Sequence, residues 1–159
     1  MGKRYKNALT EYYVADFEGK DELKNLQKTS MHPLANFISN VEAEANDETE
    51  DYSWYDGDGT LNEEIISARP SYTVEGQRSF GDEAQDLIVS KEFESGDDRY
   101  IAFMKVDPNG DTFLGQASLS EIVSGGGEAH EYGTFGCKIT WAEKPIMTPH
   151  TEPTGDSEA

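Results

Sequence analysis

Between residues 134 and 142 the chain alternates without a break, with Phe135, Cys137, Ile139 and Trp141 on one face and Thr134, Gly136, Lys138 and Thr140 on the other. A period of two describes a strand with one packed face and one wet face, and a slip of one residue would turn every apolar group outward. The same period recurs earlier in the chain. Leu9, Tyr13, Ala15 and Phe17 lie two apart or multiples of two apart, with Val14 opposite, before a charged turn at residues 20–24. Ala35, Phe37, Ser39, Val41 and Ala43 share a face in a second strand, and Ile66, Ala68, Tyr72 and Val74 in a third. Pro70 inside that third run predicts an edge position or a bulge, because proline has no N–H to give a ladder.

Residues 99–106 and 112–123 read as two further strands joined by Asp107, Pro108, Asn109, Gly110 and Asp111, a turn sequence whose Asn and Gly tolerate positive φ. One helix is predicted, over about residues 80–93. Phe80, Ala84, Leu87 and Ile88 fall at i, i+4, i+7 and i+8, with Asp82 and Glu83 at the positive end of the dipole. The sum is a mainly β chain: a β-sandwich or partly rolled barrel with one flanking α-helix. A single domain is expected over residues 1–144. Residues 145–159, rich in Pro, Thr and Glu, are expected to be a disordered tail.

Charge restricts function more than it restricts fold. Thirteen basic against 32 acidic side chains give −19, which disfavours ordinary nucleic-acid binding, since that binding neutralises phosphates with Lys and Arg. Ten acids lie between residues 42 and 64 (Glu42, Glu44, Asp47, Glu48, Glu50, Asp51, Asp56, Asp58, Glu63 and Glu64) with no Lys or Arg among them. This segment is expected to be a mobile acidic loop, ordered only when a partner docks on its aromatic cluster of Tyr52, Trp54 and Tyr55. Six of the basic residues (Lys3, Arg4, Lys6, Lys20, Lys24 and Lys28) lie in the first 28 positions beside five acids. A solvated surface is the plain reading of that end for one chain, and contact with the acidic segment of another copy is the alternative.

Few motifs carry chemistry. Asp56, Gly57, Asp58 and Gly59 have the look of a calcium loop, but with Gly59 in the sixth place the first and twelfth ligands would be Trp54 and Ile65, which offer no side-chain oxygen. Asp107, Asn109 and Asp111 fail likewise, with Thr112 sixth and Ser118 twelfth. His32, His130 and His150 are too far apart in sequence for a helical zinc pair. Gly125, Gly126 and Gly127 are not followed by the Lys and Ser/Thr of a phosphate loop. No catalytic residue, cofactor or metal is therefore assigned, and an enzyme is not expected. Cys137 excludes an internal disulfide, being the single cysteine, and reads as a small core residue. Apolar runs fall well short of a membrane span, and the reading is of a protein made and kept in the cytosol.

An ordered set of features resembles the major tail tube proteins of long, non-contractile-tailed bacteriophages: Tyr55, Asp56, Gly57, Asp58 and Gly59; Gly76 and Arg78; Gly81 to Asp86 opening a helix; Asp107 to Asp111; Gly115 to Ser118; Gly125 to Glu128; and Tyr132 to Phe135 ahead of a last strand closing at Lys144 and Pro145. The resemblance covers roughly residues 9–145. It implies a structural virion subunit made in the host cytoplasm, in which hexameric rings stack into a tube for genome ejection. It further implies contacts with tape measure, distal tail and terminator proteins, and transient passage of double-stranded DNA without specific binding. Tyr52, Trp54, Tyr55, Asp56 and Asp58 then become an inter-subunit loop, and an acidic lumen would let DNA slide without sticking. The alternative is a standalone β-sandwich module that stacks Tyr52, Trp54 and Tyr55 on a ligand.

Overall fold

The computed structural model describes residues 2–150. Its strands are β1 (Glu11–Asp16), β2 (His32–Pro33), β3 (Ile38–Glu44), β4 (Asp47–Tyr52), β5 (Asn62–Ala68), β6 (Ser71–Gln77), β7 (Tyr100–Val106), β8 (Thr112–Val123), β9 (Thr134–Trp141) and β10 (Ile146–Thr148), with helices α1 (Lys20–Leu23) and α2 (Glu83–Val89). Eight strands form one antiparallel sheet in the order β2-β1-β7-β8-β9-β6-β3, with β10 also on β8; β4 and β5 form a separate hairpin. Of the two forms the sequence left open, this is the partly rolled one, a curled sheet flanked by a helix.

The core sits on both faces of the sheet. Tyr100–Val106 is an almost unbroken apolar run, which suits a central strand buried on both sides. Its Ile101 and Phe103 join Val14, Val74, Leu119, Phe135, Cys137, Ile139 and Trp141 on one face, where Ala84 and Ile88 of α2 complete the packing. Phe103 is the hub, its ring centroid 5.0 Å from that of Trp141, 5.8 Å from Tyr72 and 6.1 Å from Tyr12. Burying one such side chain contributes about 1.5–3 kcal/mol. The other face holds a smaller cluster of Ala102, Met104, Val106 and Leu114 beneath Leu23 of α1 and Met31.

Four sequence expectations are corrected. The helix is shorter than residues 80–93: Gly81 at φ 90° and the N-cap Asp82 precede it, and Phe80 is exposed, stacked under the Arg78 guanidinium at 4.4 Å. The alternation from Ala35 is broken because Phe37 has φ 59° and the ladder shifts between Ile38 and Asn40. Ile38 and Val41, not Phe37, therefore face the core. The acidic segment is not a loop throughout: β3 runs to Glu44, and β4 and β5 pair across a turn centred on residues 55–59. Pro70 separates that hairpin from β6. Finally, Ile146, Met147 and Thr148 pair with Leu114, Phe113 and Thr112, so ordered structure continues past residue 145. The rest of the expected tail, residues 151–159, lies outside the described residues.

Candidate assembly surfaces

The β4–β5 hairpin arises where Thr49, Tyr52, Ile65 and Ile66 favour extended chain and the Asp-Gly-Asp-Gly run between them favours a reversal. Trp54 O accepts from Gly57 N–H at 3.1 Å, Gly59 takes φ 83°, and Asp58 Oδ1 accepts from Thr60 N–H at 2.9 Å. Thr60, through its side chain first and its backbone second, holds the Asp58 carboxyl below its ordinary range. These bonds fold the Asp-Gly-Asp-Gly run into a tight turn. Tyr52 and Trp54 stack, with centroids 5.5 Å apart and planes at 11°. Tyr52 also donates to Glu50 Oε2 at 2.6 Å, a bond that raises its hydroxyl pKa.

The structure thus brings two of the three aromatic residues together. Tyr55 stands apart and fully exposed, and Asp56 is exposed beside it. Tyr52 and Trp54 each spend one ring face on the other, and Tyr55 stands apart, so the three rings do not form one flat surface. Leu61, Ile65 and Ile66 are also exposed on this hairpin; sequence reasoning gave Leu61 and Ile65 no place in this surface and set Ile66 on a packed strand face with Tyr72 and Val74. Their signal was present as an apolar triplet at the edge of the acid run. No residue of β4 or β5 is buried.

The second surface is the outer edge of β3. Residues 38–44 pair with β6 on one side only, leaving backbone donors and acceptors of the other side unpaired within the sheet. At the opposite border β2 contributes just two residues.

The third is the polar face of β3, β6, β9 and β8. Directly opposed residues share a face, so the registers align Glu42, Thr73, Lys138 and Ser120 in one row. Glu44, Ser71, Thr140 and Ser118 form the next. Lys138 is the one cation in these rows, 4.0 Å from Glu121. Ser71 is fully buried under the Asn46 amide, the other residues of these rows are at least partly exposed, and the opposite face packs into the core that includes Ala84 and Ile88 of α2.

The other sequence candidates are placed as surface or turn groups. Gly110 N–H donates to Asp107 O at 2.8 Å, closing the expected hairpin turn, and Asp111 accepts from His150 N–H at 2.9 Å, the main cause of its lowered pKa. His32 Nδ1 lies 2.7 Å from Glu83 Oε2. Glu128, His130 and Glu131 gather their ligand atoms within 4.8 Å but are all exposed.

No family profile matches the sequence, and no curated protein matches it. Solved structures do match. The chain is similar to a subunit in the tail of an empty gene transfer agent particle solved with C6 symmetry, at TM-score 0.63 and 13% identity over 92% of this chain and 100% of that one. It is similar to a chain of the virion of a native gene transfer agent particle at TM-score 0.65 and 12% identity, with the same coverage. It is also similar to a chain of the sheath–tube complex of an extracellular contractile injection system in its extended state, at TM-score 0.52 and 15% identity over 91% of each chain. The likeness is one of fold, and it spans nearly the whole chain.

Proposed function

We propose that the protein is a structural subunit of a virion tail tube, stacking as hexameric rings into a conduit through which a genome leaves the particle. The observation that carries this reading is the shared fold, which covers 92% of the chain and all of a tail subunit arranged with sixfold symmetry. Two features of the molecule support it. The sheet curls but stays open at β3, and pairing that edge with a sibling's sheet would remove an aggregation-prone border. An isolated two-stranded hairpin is marginal in water, so β4–β5, with Tyr52, Trp54, Tyr55, Asp56 and Asp58 at its tip, is suited to rest on a neighbouring subunit.

In this arrangement the polar rows bearing Glu42, Glu44 and Lys138 line the channel. Fixed phosphate contacts need clustered cations, and one lysine beside a glutamate supplies none, so duplex DNA passes without being held. Tape measure, distal tail and terminator proteins would meet the tube at its axis and ends. Negative-stain microscopy of concentrated protein tests the reading: hollow tubes or rings of constant width are expected. Solitary particles at every concentration and ionic strength, even with authentic tail-initiating complexes, would refute it.

A further inference from the structure

Charge is distributed between two poles that do not meet within one chain. The hairpin region, residues 47–68, holds Asp47, Glu48, Glu50, Asp51, Asp56, Asp58, Glu63 and Glu64 and no Lys or Arg. None of these carboxylates is in an ion pair among the described residues. Register worsens the repulsion, since Glu50 stands opposite Glu64 and Asp51 opposite Glu63, and like charges so opposed weaken a ladder. The other pole is residues 2–9, which carry Lys3, Arg4 and Lys6 without an acid. These cations also lack ion pairs among the described residues. Tyr5 among them and Leu9 just after them are 60% and 59% exposed.

Both poles combine charge with uncovered apolar side chains, and their signs are opposite. Residues 2–6 carry no regular structure and lead into a single 3-10 turn at Asn7–Leu9; five extended residues reach about 16–18 Å, enough to run along most of a seven-residue strand of about 24 Å. We infer that residues 2–9 of one copy lie along the β4–β5 hairpin of a second copy, with Lys3, Arg4 and Lys6 relieving the Glu50/Glu64 and Asp51/Glu63 repulsion and Tyr5 and Leu9 covering Ile65 and Ile66. This rests on the tube-subunit reading and names the partner of its hairpin. The contact pairs each hairpin with a foreign segment, so a stack can propagate through it.

The test mixes unlabelled and nitrogen-15-labelled parent protein, assembles it, and treats it with a zero-length carbodiimide. Mixed-isotope peptides joining Lys3 or Lys6 to a carboxylate of residues 47–64 are expected. The triple variant K3E/R4E/K6E should raise the critical concentration for assembly roughly tenfold, as losing three exposed ion pairs would. Adding E50K/D51K/E63K/E64K to the same chain should restore assembly. Circular dichroism checks folding, and K3Q/R4Q/K6Q provides a milder second variant. Parent tubes with unaltered assembly of both variants, or with crosslinks from Lys3 and Lys6 only to other regions, would overturn this pairing and leave the subunit reading intact. A parent that never polymerises would overturn both.

Discussion

Replacing Gln85 with leucine should be among the most damaging single changes outside the aromatic core. Gln85 is fully buried on α2, and its amide is saturated. Oε1 accepts from Ser79 N–H at 2.7 Å and from Arg78 Nη1 at 3.3 Å, while Nε2 donates to Gln77 O at 3.0 Å and Asn36 O at 3.3 Å. One side chain thus ties the helix to the end of β6 and the approach to β3. Leucine keeps most of the volume but takes the amide partner from the half-buried Ser79 N–H and from the Asn36 carbonyl. Each stranded group costs about 1–3 kcal/mol, and the apolar gain offsets part, so a net loss of about 3 kcal/mol is expected. Against a total stability of about 5–15 kcal/mol, this lowers Tm by roughly 6–12 °C for a chain of this size. Thermal melts followed by circular dichroism, with urea titration to check that the m-value is unchanged, measure it. A Tm within about 2 °C of the parent would show that water or relaxation satisfies those groups and that the amide is not what fixes α2 on the sheet.

The other predictions concern β3, the buried thiol, the start of α2 and the hairpin. Gly76→Ala would set a Cβ 2.2 Å from Phe37 O and 2.9 Å from Ile38 Cα; a loss of about 1–3 kcal/mol should come with faster amide exchange at Gln77 N–H, which bonds Phe37 O. Burial pushes the Cys137 thiol up to about 12, so a disulfide reagent should leave the native protein untouched and titrate one thiol after unfolding. The sign follows from linkage: as pH rises towards 12 the unfolded thiol ionises before the folded one, and this residue's contribution to stability falls through that window. Burial first, and the Asp86 charge second, raise the Asp82 pKa, so its contribution also falls as pH rises through the folded value. Asp82→Asn, which keeps an N-cap side chain, should be more stable than the parent by about 0.3 kcal/mol at neutral pH, with the difference vanishing at pH 3 in urea titrations. Trp54 is 54% exposed and Trp141 4%; in a W141F background, Trp54 emission should shift to shorter wavelength and resist acrylamide on assembly, and unchanged quenching in tubes would place the hairpin outside the contacts.

What could be read from the residues was whatever one strand decides for itself. The alternation of residues 134–142 and the Asn-Gly turn before β8 each encode their own geometry, and both are found in place. Decisions made between strands were not legible. The bulge after Ile38 exists because Gly76, opposite it, lacks a Cβ and admits the Phe37 carbonyl, so the face on which Phe37 lands is set nearly forty residues downstream. The β4–β5 pairing was hidden by weighing its acids above its β-formers. Likewise Ile146 to Thr148 were hidden among prolines, although Pro145 and Pro149 only bound the strand. Leu23 and Met31 went unnoticed as the cover of a second core face because no periodic segment contains them.

The cations show how folding and assembly divide the same scarce resource. Arg78 is nearly buried, pairing with Asp86 at 2.9 Å, and Arg99 donates to the carbonyls of Glu92, Glu94 and Leu119 at 2.7, 2.8 and 3.2 Å. Both are consumed in holding the loops around α2 to the sheet. Lys105 and Lys138 stay on the sheet near Asp107 and Glu121. The carboxylates of the hairpin, and Glu42 and Glu44 on the open strand β3, pair with no cation among the described residues. Charge on an open edge is a usual guard against pairing with the wrong chain, and here the guard bears one sign on every copy. Two free molecules meeting edge to edge, or hairpin to hairpin, therefore repel. An approach that presents residues 2–9 to the hairpin brings opposite charge into contact, and that approach is directional, head of one copy to hairpin of the next. On the subunit reading, the same acidic excess that keeps the free chain from aggregating selects the geometry in which it stacks.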